Sequence, residues 1–284
     1  MKSRSLSDKA DKNPDSHPVL DVEFAQLSDT GRVREHNEDH VGHFLPTTPA
    51  LVRTHGFLFV LADGVGGHEK GEIASQTAVE CMLAGFRNAS GHDPHSSLLP
   101  HLIKEANLAV FEGGGAADRN SGSMATTVVA CALRFDHASI AHVGDSRCYL
   151  IRDGQATLLT HDHTVANEQL RMGLLGANEA ANLSTSHVLS RSVGSEMLIN
   201  VETADIQIFV GDVFVLCSDG LHNSVEASDI ANAAAQSATL DIAARTLVTI
   251  ANQRDGTDNI SVQLVRVRSV ERIGTYRGRP YWLR

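Results

Sequence analysis

Two apolar segments each end in an aspartate followed by glycine, and they constrain the fold more than any other feature of the sequence. They are FLFVLAD, which ends at Asp63, and VFVLCSD, which ends at Asp219. Unbroken apolar runs of this length are typical of strands that are covered on both faces. A carboxylate at the end of such a strand is held rigidly beside the edge of a sheet. The sequence therefore predicts a core of buried strands whose ends carry acidic side chains.

The order of the predicted elements indicates an α+β protein. Amphipathic helices are expected over 69–89, 97–111 and around 240–251, with a short one over 165–172 inside a polar insertion, 160–190. Strands are expected over 22–27, 40–45, 56–62, 125–134, 138–143, 147–151, 156–159, 202–209, 213–217 and 260–267. This order is neither a regular βαβ alternation nor all-β. It predicts two antiparallel sheets packed face to face, with helices on the outside.

Three further acidic segments lie at strand borders. Glu38-Asp39 precedes a strand, Asp145 follows ASIAHVG, and Asp258 opens NISVQLV. Each one alone is most simply a turn or capping carboxylate. If all five acidic positions converge, however, their mutual repulsion costs several kcal/mol unless counter-charges neutralise it. Arg34 in GRVREHNED is too little positive charge for this, so bound cations are expected.

The kinds of ligand atom favour Mg²⁺ or Mn²⁺ over zinc. The acidic positions offer oxygen atoms only, and Gly64 allows its backbone carbonyl to approach a metal. Fifteen histidines suggest a zinc site, but none of the closely spaced histidine pairs has a complementary second pair of ligands. The GVGG run after Asp63 lacks the GKS or GKT of a Walker loop, so it favours close backbone approach instead.

Charge and composition exclude several classes of protein. The formal net charge of −10 argues against binding to a nucleic acid backbone. No apolar run approaches the length that spans a bilayer, and the first residues lack the apolar stretch of a secretory signal. The four cysteines are far apart, and we expect them to be reduced residues of a cytoplasmic protein.

We expect three parts along the chain. Residues 1–20 form a polar, flexible leader, residues 21–268 form one domain, and residues 269–284 form a basic tail that contains Trp282. The tail either packs on its own domain or docks a partner.

Eight stretches, in the same order as in a known family and over about residues 22–267, carry a resemblance. They are SDTGRVREHNEDH, LADGVGGHEKGEIAS, GSMATTVVACAL, AHVGDSRCYLIRDG, LTHDHTV, HVLSRSVG, LCSDGLHNSV and DNISVQLV. Together they resemble the metal-dependent protein phosphatases, the PPM or type 2C Ser/Thr phosphatases, especially the compact bacterial ones. The resemblance implies a four-layer α-β-β-α sandwich with a metal site in a cleft between the sheets.

The resemblance also implies how the metal centre is built. Asp63 would bridge two Mn²⁺ or Mg²⁺ ions, Gly64 would add its carbonyl, and Asp219 and Asp258 would complete the inner set. A metal-activated water in this binuclear centre would then attack the phosphorus of phosphoserine or phosphothreonine, which agrees with the chemistry of two-metal sites.

The remaining implied roles surround this inner set. Asp39 and Glu38 would hold metal-bound waters, with Asp39 counted among the catalytic residues, and Asp145 would bind a third, weaker cation. Arg34 would grip the substrate phosphate, since a guanidinium binds two phosphate oxygens at once. We expect no covalent phosphoenzyme and no cysteine in a phosphate-binding loop.

The acid that protonates the leaving group is left open. Some family members carry histidine directly after the Asp-Gly pair, where this chain has Val65. His68 is one candidate, and a water on the third cation near Asp145 is the other. The histidine could equally be a residue at the start of a helix.

Two alternatives to an active protein phosphatase remain at this point. A catalytically weak regulator of the same fold could bind phosphoproteins, although such proteins normally lose a metal carboxylate and this chain keeps all three. A related enzyme could act on a small phosphate ester. For the active enzyme we expect a monomer in the cytoplasm that acts on phosphorylated proteins opposite a cognate Ser/Thr kinase, without nucleic acid or membrane partners.

Overall fold

The computed structural model describes residues 19–65, 69–114, 124–176, 179, 183, 188–276 and 279–282. The strands are β1 Asp21–Asp29, β2 Asp39–Phe44, β3 Phe57–Val65, β4 Ala125–Thr126, β5 Val128–Arg134, β6 His137–Val143, β7 Arg147–Arg152, β8 Gln155–Leu158, β9 Glu202–Gln207, β10 Val213–Cys217, β11 Ile260–Ser269, β12 Ile273–Tyr276 and β13 Arg279–Trp282. The helices are α1 Pro49–Thr54, α2 Glu69–Asn88, α3 His95–Gly113, α4 Val165–Arg171, α5 Asp219–His222, α6 Ala227–Gln236 and α7 Leu240–Arg254.

Two antiparallel sheets contain most of the strands. The first sheet has the order β1-β11-β10-β7-β8, and the second has the order β2-β3-β5-β6-β9 with β4 paired to β3. In the first sheet, β10 lies between β11 and β7, with Val215 opposite Leu264 and Tyr149. In the second sheet, β3 lies between β2 and β5. The long strand β5 is apolar along its length because both of its faces are buried.

Three apolar clusters fill the spaces between four layers. One cluster joins the first sheet to α6 and α7, and it includes Val215, Ile230 and Leu247. A second joins the second sheet to α2 and α3. The third lies between the two sheets, where Phe59 and Phe214 are both fully buried. The predicted α+β sandwich with layers α-β-β-α is therefore confirmed.

The structure differs from the predicted elements in a few places. The expected strand over 125–134 is two strands, because the chain breaks from the ladder at Thr127. Strand β3 continues past Asp63 to Val65, because β4 pairs with its last two residues. Helices α1, α5 and α6 and the hairpin of β12 and β13 were not predicted.

The ends of the chain give only partial information on the three expected parts. Most of the expected leader lies outside the described residues, and within the expected tail β12 and β13 pair with each other. The boundaries at 21 and 268 thus stay a prediction. Among the described residues, no helix combines the length and apolar character needed to cross a membrane.

Candidate metal centre

The ends of strands from both sheets meet at one open cleft of about 650 Å³. The second sheet contributes Asp63 near the end of β3 and Asp145 after β6, and Asp219 and Asp258 come from the ends of strands in the first sheet. The other lining residues are Arg34, Glu38, Gly64, Val65, Ala125, Thr127, Val188, Leu189, Ser192, Ser195 and Asn259. The expected convergence of distant acidic residues is therefore present in the fold.

Asp39 lies on the strand next to Asp63 and is fastened from the opposite sheet. The two residues face each other in the β2–β3 pair. Ser218, which is fully buried, donates its hydroxyl to Asp39 Oδ2 at 2.9 Å, and it accepts the backbone N–H of Ser261 at 2.9 Å. The buried Oδ1 of Asp39 has no hydrogen-bond partner among the described residues. Ser218, whose neighbour Asp219 lines the cleft, thus ties the two sheets together beside it.

The backbone around Gly64 leaves no room for a side chain. A Cβ at Gly64 would lie 2.3 Å from the carbonyl oxygen of Gly71, so only glycine fits between the start of α2 and the Glu38 loop. The N–H of Gly64 donates to the carbonyl of Glu38 at 3.1 Å. Thr127 holds Asp63 on the other side, because its Oγ1 accepts the Asp63 N–H at 3.0 Å and its N–H donates to the Asp63 carbonyl at 2.8 Å.

Asp219 and Asp258 are brought together by close packing of their loops. A Cβ at Gly220 would lie 2.2 Å from the carbonyl oxygen of Asn259, so the Asp219-Gly220 turn packs directly against Asp258-Asn259. Asn259 donates its own N–H to Asp258 Oδ1 at 2.9 Å and accepts the Glu38 N–H on its side-chain oxygen at 2.8 Å. Asn259 therefore links the loops that carry three of the acidic residues.

Arg34 reaches the same cluster from the loop between β1 and β2. Its Nη2 donates to Asp258 Oδ2 at 2.8 Å, and its side chain is 45% exposed. The guanidinium group therefore faces the open cleft while one edge of it is paired with a carboxylate.

Asp145, which follows β6 of the second sheet, is a buried acidic group of the cleft. It is 8% exposed, and its carbonyl accepts a hydrogen bond from His222 Nε2 at 3.0 Å. Gly144 before it has a φ of +104°, and a Cβ there would collide with the Thr127 side chain. The turn that presents Asp145 is therefore sterically fixed.

Burial and mutual repulsion shift the titration of these carboxyl groups. Burial, reinforced by the charges of Asp219 and Asp258, raises the pKa of Asp39 to about 7. Burial and the nearby Asp219 raise the pKa of Asp145 to about 7. Burial and then Asp39 raise the pKa of Asp63 well above its usual range. Such shifts mark a cluster whose negative charges are not compensated by the protein.

Three observations indicate that the cluster suits divalent cations. Its donors are oxygen atoms, it includes the unpartnered buried Oδ1 of Asp39, and its carboxyl groups repel one another. Oxygen donors of this kind suit Mg²⁺ and Mn²⁺.

The structure thus brings together eight of the residues selected from the sequence. Seven of them line the cleft, and Asp39 lies opposite Asp63 on the neighbouring strand; the seven are Arg34, Glu38, Asp63, Gly64, Asp145, Asp219 and Asp258. His68 lies outside the described residues. The sequence did not predict that Ser218, Thr127 and Asn259 hold the acidic residues in place. Two of them, Ser218 and Asn259, are direct sequence neighbours of acidic positions.

A cysteine-based mechanism finds no support in the structure. Cys81 and Arg87 have the CxxxxxR spacing of cysteine phosphatases, yet both lie within helix α2 and not in a loop. Burial raises the pKa of the Cys81 thiol, which disfavours the nucleophilic thiolate.

Comparison with known proteins agrees with this site. The protein phosphatase 2C family model matches residues 34–258. The serine/threonine phosphatase Stp of Listeria monocytogenes is 32% identical over 255 residues, which cover 89% of this chain and 96% of that protein. The S. agalactiae serine/threonine phosphatase superposes with a TM-score of 0.79 at 33% identity, covering 87% of this chain and 100% of that chain. The catalytic domain of the phosphatase PstP, in complex with two manganese ions, gives a TM-score of 0.74 at 28% identity, covering 89% and 100%.

The chain therefore belongs to the protein phosphatase 2C family. The prediction that it is a metal-dependent serine/threonine phosphatase is confirmed with it.

Proposed function

We propose that this enzyme removes phosphate from phosphoserine and phosphothreonine of proteins, with two Mn²⁺ or Mg²⁺ ions in the cleft and a third, weaker cation beside them. The observation that carries the proposal is the meeting of Asp63, Asp219 and Asp258 in one cleft, beside Arg34. When bound, such cations would lower the pKa of a water molecule and neutralise the charge on the phosphoryl oxygens.

The inner carboxylates would hold the cations and the outer ones would orient water. We assign Asp63, the carbonyl of Gly64, Asp219 and Asp258 to the cation-binding set, because strand ends and tightly packed glycine turns fix their positions. Asp145, which lines the same cleft, would hold the weaker cation.

Asp39 and Glu38 would accept hydrogen bonds from waters around the cations. Asp39 is already fixed by Ser218 on one oxygen, which leaves the other oxygen available to a water. Such outer partners keep directly bound groups in position.

Arg34 would bind the substrate phosphate. It is half exposed at the mouth of the cleft, and only one of its nitrogen atoms is engaged with Asp258 at 2.8 Å. The remaining N–H groups of the fork can donate to two phosphate oxygens at once. For protonation of the seryl or threonyl oxygen, His68 and a water near Asp145 remain the two candidates.

We further propose that the enzyme acts as a monomer in the cytoplasm, opposite a Ser/Thr kinase, as the single domain 21–268. All four cysteines are unpaired, which is usual for a reducing compartment. The presence of all three inner aspartates favours an active enzyme over a phosphoprotein-binding regulator.

Hydrolysis assays with varied metal test this function. We expect turnover of para-nitrophenyl phosphate and of phosphoserine and phosphothreonine peptides with Mn²⁺ or Mg²⁺, weak turnover of phosphotyrosine peptides, and none in EDTA. Asp219→Asn should lower kcat on the order of a hundredfold or more, because it removes a cation-binding charge. Asp241→Asn, at an exposed position of α7, is the matched control. Turnover that persists in EDTA, or an Asp219→Asn enzyme as active as its control, would rule out this function.

A further inference from the structure

The carboxylate of Glu202 contacts four of the described residues between 160 and 192. Glu202 is the first residue of β9 and lies opposite His142 of β6. It is contacted from the beginning, the middle and the end of the segment, by His161 Nδ1 at 3.5 Å, His163 Nε2 at 3.3 Å, Arg171 Nη1 at 3.2 Å and Arg191 Nη1 at 3.6 Å. No catalytic role in the cleft uses this group.

Two described residues at the end of this stretch belong to one wall of the cleft. Val188 and Leu189 line the cleft, and both are apolar, unlike the four aspartates and Glu38 that line it elsewhere. The backbone joins this wall to the start of the segment, because Val165 N–H donates to the Val188 carbonyl at 2.9 Å and Thr164 bridges to Leu189. The position of the wall therefore depends on the contacts that keep the two ends of the segment together.

His163 connects the same carboxylate to the turn that precedes Asp145. The N–H of Gly144 donates to His163 Nδ1 at 3.1 Å, and the N–H of His163 donates to the Gly144 carbonyl at 3.0 Å. Because Nδ1 accepts a hydrogen bond, the neutral ring carries its proton on Nε2, which points to Glu202. Two hydrogen bonds to Gly144 therefore keep the enclosed His163 on this turn without help from Glu202, and the other ring nitrogen is what reaches Glu202.

The contacts of Glu202 and His163 indicate a network of hydrogen bonds and ion pairs, not a second metal site. His142, His163 and Glu202 offer atoms within 4.8 Å of one another, a spacing that a cation could use. A neutral His163 cannot bind a metal through Nε2 while Nδ1 accepts an N–H, and two guanidinium groups already contact Glu202.

We propose that Glu202 is a positioning residue that sets the recognition of phosphoprotein substrates by fixing the Val188–Leu189 wall. The proposal rests on the phosphatase function given above. A peptide that presents phosphoserine or phosphothreonine to the cations must lay its neighbouring residues along this wall. A small aryl phosphate reaches the cations and Arg34 without the wall.

The test compares two substrates in one variant. Glu202→Gln keeps the size of the side chain and removes its charge. We expect KM for a phosphothreonine peptide with apolar neighbours to rise on the order of tenfold, because small displacements of a positioning contact have effects of this size. We expect kcat/KM for para-nitrophenyl phosphate and the affinity for Mn²⁺, measured by titration calorimetry, to stay within about twofold.

A second variant and a control complete the design. Arg171→Gln removes one exposed contact of Glu202 and should raise the peptide KM in the same direction by a smaller factor, even if Glu202→Gln melts at a lower temperature. Glu112→Gln, at an exposed position of α3, should leave KM and kcat/KM unchanged for both substrates.

Equal losses on both substrates in Glu202→Gln and Arg171→Gln would overturn the positioning role. Loss of one bound Mn²⁺ in Glu202→Gln would overturn it in favour of a metal site. A wild-type enzyme inactive on both substrates would instead overturn the phosphatase function itself, and the positioning role with it.

Discussion

Cation binding to the acidic cleft should release protons, because several of its carboxyl groups retain protons near neutral pH in the metal-free protein. Burial and the neighbouring Asp219 raise the pKa of Asp145 to about 7, and burial with the charges around it raises that of Asp39 to about 7. The pKa of Asp63 is raised well above its usual range, first by burial and then by Asp39. A bound cation reverses these shifts, since it favours the ionised form of each group.

The size of the effect follows from these pKa values. At pH 7 a group with a pKa of about 7 is about half protonated, so Asp39 and Asp145 together should release about one proton. Asp63, whose pKa is also raised, should add to this count. Between pH 6 and pH 8 the protonation of each of the first two falls from about 0.9 to about 0.1. Mn²⁺ affinity should therefore rise with pH, and the slope should be steeper at pH 6 than at pH 8.

Titration calorimetry measures the released protons directly. Mn²⁺ is added to the metal-free enzyme at pH 6, 7 and 8 in two buffers of different ionisation enthalpy, and the difference in heat gives the proton count. Asp145→Asn should lower the count at pH 7 by about half a proton, while the exposed control Asp241→Asn should leave it unchanged. Binding heats that are independent of the buffer at both pH 6 and pH 7 would refute the reasoning, because the carboxyl groups would then already be ionised.

Two further substitutions probe the support of the site and the binding of substrate. Ser218→Ala removes the Ser218 hydrogen bond of the buried Asp39 carboxylate and leaves the buried backbone N–H of Ser261 without its acceptor, so the metal-free protein should lose about 2–4 kcal/mol in urea unfolding. A loss no larger than that of the exposed control Ser96→Ala would contradict this role. Arg34→Ala should raise KM about tenfold or more with a smaller change in kcat, because it removes a contact to the ground-state phosphate, whereas Arg32→Ala should change neither. A fall in kcat at constant KM would mean that Arg34 acts chiefly in the transition state.

Most of the fold could be predicted from apolar patterning. Strands such as β3 and β10 are covered on both faces, so their sequences are unbroken apolar runs. The long helices α2, α3 and α7 bury one side, and their apolar residues recur at helical spacing. These signals are local, and they determine the four layers once the strands pair.

The shorter elements carried too little local signal. Helix α1 has six residues and α5 has four, fewer than an isolated helix needs, so their stability comes from packing and capping within the fold. The break at Thr127 could not be predicted either, since it depends on hydrogen bonds to Asp63, which is distant in sequence.

The acidic residues of the site could be selected from the sequence, but not the residues that organise them. Asp63 and Asp219 stand out because a carboxylate ends an apolar run. Ser218 and Asn259 act through contacts between segments about 40 to 220 residues apart, which no local pattern encodes.

Diffraction at the manganese absorption edge, from crystals grown with Mn²⁺, would reveal where the cations bind. We expect two strong anomalous peaks in the cleft, with oxygen atoms of Asp63, Asp219 and Asp258 at about 2.0–2.3 Å from them. Peaks beside His142, His163 and Glu202, with none among the three aspartates, would contradict the assignment of the metal centre.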